Sequence, residues 1–124
     1  MIKCMLMVYR APHLSQAEFV EYWSTQHARL AVASAPAMRM RRYVQNHARG
    51  HAMADALLES RGARRGDFDG VAEVWWESFE DIAMAAGETP AEVAAAILQD
   101  EQRFVDLPRS ILWFGEEKQF WPEV

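Results

Sequence analysis

One cysteine, Cys4, stands in 124 residues, which excludes an intramolecular disulfide framework and a thiolate zinc cage. Positive charge is also in deficit. Thirteen Lys and Arg against 18 Asp and Glu leave −5 at pH 7, which argues against a nucleic-acid-binding surface. No apolar run approaches the roughly 18 residues that a membrane span needs. The apolar start, Met1 to Val8, ends at Tyr9-Arg10 without a small-residue cleavage site, so it reads as a strand and not as a leader. A glycine-rich phosphate loop, a dinucleotide fingerprint and a nucleophile elbow are all missing, and no cofactor is expected. Seven methionines and a lone thiol suit a reducing cytoplasm, the expected compartment.

What remains is a chain of one-domain length, 1–124, that is 51% hydrophobic. Residues 2–10 form a strand apolar on both faces, with Ile2, Cys4, Leu6 and Val8 on one and Met5, Met7 and Tyr9 on the other. Ser15-Gln16-Ala17-Glu18 is a capping box, which predicts a helix from Gln16 to about Ala33. Its inward stripe holds Phe19, Trp23, His27 and Leu30. Residues 39–47 read as a polar edge strand, and 48–66 as a weak region with a short helix near Ala52–Ser60. Val71–Glu77 is a third strand, apolar on both faces. A helix capped by Ser78 and a second one opened by Thr89-Pro90-Ala91-Glu92 follow, the latter with Val93, Ile97 and Phe104 inward. Residues 111–114 close the set as a fourth strand.

The order β-α-β-β-α-β predicts an α+β, ferredoxin-like fold with a four-stranded antiparallel sheet and helices on one face. The central strands are apolar on the other face as well. A second copy of the sheet is the economical cover, so the expected assembly is a homodimer with paired sheets, a dimeric α+β barrel.

Phe19-Val-Glu-Tyr-Trp-Ser-Thr-Gln-His27, Arg42-Tyr-Val-Gln-Asn-His47, Asp69-Gly-Val-Ala-Glu-Val-Trp-Trp76 and Asp100-Glu-Gln-Arg-Phe-Val-Asp106, in this order, resemble the EthD family of the dimeric α+β barrel superfamily. The resemblance covers nearly the whole chain. It implies a small cofactor-free protein from a degradative or polyketide-type pathway. Family members include fungal decarboxylases and 4-methylmuconolactone methylisomerase. In that isomerase a helix-one histidine and a second-strand tyrosine serve the site, and these fall on His27 and Tyr43. Val74 stands where the isomerase has a cysteine, a departure that bears on methylisomerase activity itself.

Read as chemistry, His27 is the candidate catalytic base. Placed amid Phe19, Trp23 and Leu30, its imidazole is expected in a poorly hydrated cleft, which favours the neutral ring. The bland alternative is a core histidine held by backbone. Tyr43 is the candidate donor to a developing oxyanion, unless it is only a sheet aromatic. Asn46 is a candidate to orient a substrate carbonyl, and His51 to reach in from 48–66. Trp23 and Trp76 offer flat apolar walls, although tryptophans are more often core. His47, His51 and Asp55 have a metal-like spacing, but Gly50 breaks it, so no metal is expected. Glu73 is expected to pair with Arg42 or Arg39, and Cys4 to be a buried small hydrophobe.

The expected function is a cofactor-independent enzyme of isomerase, lyase or cyclase type, acting on a small cyclic or aromatic carbonyl compound by histidine proton transfer. The alternatives are a non-catalytic dimer that binds a hydrophobic metabolite and a cofactor-free oxygenase. Neither nucleic acid nor membrane is expected as a partner.

Overall fold

The computed structural model describes residues 1–123. Four strands, β1 (Ile2–Val8), β2 (Arg42–His47), β3 (Gly70–Trp76) and β4 (Ile111–Glu116), form one antiparallel sheet in the order β2-β3-β1-β4. The doubly apolar strands are central and the polar one is an edge, as the pattern required. Alternation sets the two faces. Tyr43, Val74, Cys4 and Phe114 form one row across the sheet, and Gln45, Ala72, Leu6 and Leu112 the next. Both rows belong to the face under the helices. Lys3, Met5, Met7, Val44, Val71, Glu73 and Trp113 belong to the other.

The helices are α1 (Gln16–Tyr22), α2 (Ala28–Ser34), α3 (Ala52–Arg61), α4 (Phe79–Glu88) and α5 (Ala91–Phe104). Ser15 forms the full capping box with Glu18, and Ser78 accepts from the Asp81 amide. Thr89 does not cap α5. Its hydroxyl turns back to the Ala85 carbonyl, and Pro90 takes the cap position without a side-chain bond. No residue of α3 is buried. None of the described helices is long and apolar enough to cross a membrane.

Four expectations need correction. The first helix is not continuous: residues Trp23–His27 form a π-turn between α1 and α2. Ser24 and Thr25 donate their hydroxyls to the Val20 and Glu21 carbonyls, 2.6 and 2.5 Å away. Such back-bonding competes with the ordinary ladder and loosens the turn. The second strand starts at Arg42, because Arg39 takes a left-handed turn (φ 59°) and pairs with Asp81 and Glu88 on α4. Glu73 therefore pairs with neither arginine. It accepts from Lys3 at 3.0 Å and Asn46 at 3.1 Å, while Arg42 lies over the Trp75 ring. Val93, expected inward, is 44% exposed.

The core is a small aromatic stack between the helices and the sheet. Phe19, Trp23 and Phe104 are at most 1% exposed and join Val8 and Val105. Phe19 lies 5.3 Å from the Trp23 ring and 5.9 Å from Phe104. Trp23 also presses on β3 at Gly70, where a Cβ would come within 2.6 Å of the indole. Cys4 is buried in the same face, which pushes its thiol up to about 11 and keeps it inert. Phe19→Ala should cost about 3–5 kcal/mol, read as a lower urea midpoint at unchanged slope.

Candidate active site

The site is built where the π-turn meets α5. His27 ends the π-turn, and its ring packs 4.8 Å from Phe104 with the side chain 13% exposed. Its Nδ1 lies 2.7 Å from Asp100 Oδ2. The other carboxylate oxygen, Oδ1, accepts from the Tyr22 hydroxyl at 2.5 Å. Asp100 is the one polar residue among the described core, at 8% exposed. A carboxylate so placed survives because both its oxygens are engaged. Burial, followed by the bond to Asp100, raises the Tyr22 phenol and keeps it a donor.

An ionised carboxylate only accepts, so Nδ1 carries the hydrogen and the lone pair of the neutral ring is on Nε2. Among the described residues no side-chain polar atom sealed from solvent lacks a partner. Among the described residues Nε2 has no hydrogen-bond partner, and His27 lines a hollow of about 120 Å³. Nε2 is therefore accessible, on a side chain that lines the hollow.

Tyr43, Glu101, Leu30, Met40, Ala72 and Val74 help to line it, so its walls are mostly apolar. Gln45 donates one amide to the Tyr43 hydroxyl oxygen at 2.9 Å and to the Trp23 carbonyl at 2.8 Å. That leaves the phenolic hydrogen free to point elsewhere. Burial raises the Tyr43 phenol, against the opposing Gln45 bond, so it stays protonated. Through Met38 and Ile97 the hollow adjoins two wider grooves of about 260 and 480 Å³ between α2, α4 and α5.

Of the residues the sequence singled out, His27, Tyr43 and Val74 line this hollow. Trp76 lines the adjoining groove, its indole held by the Met38 carbonyl. Trp23 lies beneath in the core, 4.6 Å from His47. Asn46 is on the opposite face of the sheet, bonded to Glu73 and the Val71 carbonyl. Strand alternation separates it from Tyr43. His51 is exposed and caps α3, accepting from the Met53 amide at 2.9 Å. No group of three or more potential metal ligands occurs among the described residues.

Asp100, Tyr22, Gln45 and Glu101 were not singled out. The spacing of Ile97, Asp100, Glu101 and Phe104 on one helix face was the available signal.

Burial raises the Glu101 carboxyl above its ordinary 4.5, the charge of His27 opposes this, and Asp100 reinforces it. The folded state thus holds that proton more tightly than the unfolded chain. Its stabilising effect is complete below 4.5 and is lost as pH rises through the raised value. Glu101→Gln should gain stability relative to wild type as pH rises above 4.5, seen as a widening difference in Tm.

The EthD domain model matches residues 11–108. Among solved structures, an EthD family protein from Bacillus halodurans is 23% identical with a TM-score of 0.63, covering 95% of this chain and 99% of that one. A variant of SnoaB, a cofactor-independent oxygenase from Streptomyces nogalater, is 18% identical with a TM-score of 0.56, covering 98% and 97%. No curated protein sequence matches at a significant level. With the matched region extending over most of its length, the chain belongs to the EthD family.

Proposed function

We propose that the protein is a cofactor-independent enzyme that moves a proton on a small cyclic carbonyl compound, with His27 as the base. The observation that carries this reading is the Asp100–His27 pair, which engages Nδ1 and leaves Nε2 unpaired on a side chain that lines an apolar hollow. A ring C–H next to a carbonyl loses its proton to Nε2, and the imidazolium that forms faces Asp100 at 2.7 Å. Tyr43 donates to the oxygen on which negative charge collects. Val74 and Ala72 supply the floor, and Trp76 a wall for any larger substituent in the groove.

Cyclohexanone in D2O is a direct probe. The wild type is expected to exchange its α-hydrogens well above the buffer rate, followed by proton NMR. Exchange at the buffer rate would contradict the reading. The related oxygenase reading draws on the likeness to SnoaB, itself a cofactor-independent oxygenase. In that case turnover of an activated substrate consumes oxygen, which an electrode records.

The working unit in this proposal is a homodimer. Met5, Met7, Val44, Val71, Ile111 and Trp113 share the sheet face without helices, where Ile111 and Trp113 are 49% and 55% exposed. A second sheet covers such a face by two-fold symmetry. Sedimentation should give a dimer that Trp113→Glu splits. A monomeric wild type would contradict this assembly.

A further inference from the structure

Glu101 is a carboxyl group with no structural task. It lies on α5 beside Asp100 and faces the hollow that His27 and Tyr43 line. Asp100 has two partners; the Glu101 carboxyl has no hydrogen bond or ion pair among the described residues. Leu30, Met40, Ala72, Val74 and Ile97 supply apolar walls of that hollow, with Ser34 as a further polar group in its lining. Withdrawing an unpaired carboxylate from water is costly, and an apolar side chain would fill the position without that cost.

We propose that Glu101 is the second proton carrier of this site, an acid that protonates the substrate at a carbon other than the one His27 deprotonates. The proposal rests on His27 as base and narrows the reaction to isomerisation of a β,γ-unsaturated cyclic ketone or its vinylogous equivalent. His27 Nε2 removes the hydrogen between carbonyl and alkene, and the C–H electron pair spreads into a dienolate whose oxygen Tyr43 holds. The Glu101 O–H then breaks as the γ-carbon forms its new C–H bond, leaving the conjugated ketone, a carboxylate and an imidazolium. Proton return from imidazolium to carboxylate resets the pair, so atoms and charge balance without an oxidant.

The charges that face Glu101 favour this order. Burial raises the carboxyl and so favours its protonated form; a positive charge on His27 acts the other way, and Asp100 adds to the rise. Capture of the first proton by His27 thus prompts release of the second by Glu101.

Cyclohex-3-enone in D2O separates the two steps, with NMR reading exchange at C2 and ultraviolet absorbance reading the conjugated product. The wild type should do both, with isomerisation failing on the alkaline side as Glu101 ionises. Glu101→Gln should keep C2 exchange and lose isomerisation by about 10²-fold. Wild type that exchanges C2 without isomerising, or a Gln variant that isomerises normally, would overturn the Glu101 assignment alone. A folded Gln variant that loses both steps equally would overturn it too, making Glu101 a support. Absence of both steps in the wild type would instead sink His27 as base, and this proposal with it. Should the Gln variant not fold, the alkaline limb and the exchange-to-isomerisation ratio of the wild type still decide.

Discussion

Asp100→Asn should lower turnover on the order of 10³- to 10⁴-fold while the fold persists. The reason lies in hydrogen-bond inventory. The carboxylate accepts from both Tyr22 and His27, 2.5 and 2.7 Å away. An amide has one acceptor oxygen, so one of these partners then meets an N–H2 donor. If the amide nitrogen faces His27, the ring must accept at Nδ1 and carry its hydrogen on Nε2. The lone pair is then turned away from the hollow, and the base is removed without removing the histidine. Steady-state rates with cyclohex-3-enone, with near-ultraviolet circular dichroism as the folding control, give the measurement. A loss below tenfold would show that the Nε2 base persists without the Asp100 carboxylate. Tyr22→Phe leaves the His27 bond in place and should cost far less.

His27→Ala is the second large effect, a loss of about 10²- to 10⁴-fold in both α-exchange and isomerisation. The ring is 13% exposed and packs on Phe104, so its removal also leaves a small void. Chemical rescue separates the two consequences. Added imidazole should restore part of the rate if only a base is missing, since the void adjoins the hollow. Ligand affinity should change little. Loss of affinity in step with rate, and no rescue, would mark His27 as support for the pocket wall.

Much of this arrangement was written in local sequence patterns. The double-faced apolar alternation of 2–10 and 71–77 placed those strands in the centre, and the capping box at Ser15 set the start of α1. The EthD resemblance implied a shared site for His27 and Tyr43; the structure places both side chains in the lining of one hollow. The π-turn escaped because helical spacing assumes an unbroken ladder. Its cause, adjacent Ser24 and Thr25 bonding back to the preceding turn, is a side-chain effect that apolar periodicity does not record. Asp100 escaped for a different reason. An aspartate near a helix end reads as solvent-facing, and its burial depends on two partners 73 and 78 positions away. Asn46 illustrates a parity that was available, because one residue along a strand from Gln45 is the opposite face. His51 as a helix cap depended on where α3 begins, and no apolar stripe fixes that start.

The claim on which the mechanism stands is the identity of the nitrogen that carries the hydrogen in the neutral His27 ring. Nitrogen-15 NMR of histidine-labelled protein, assigned through His27→Ala, reads it directly. The expected spectrum shows Nδ1 protonated, coupled to a downfield proton shared with Asp100, and a bare Nε2 whose signal shifts when a cyclic ketone binds. A hydrogen resident on Nε2, with Nδ1 bare, would contradict the account.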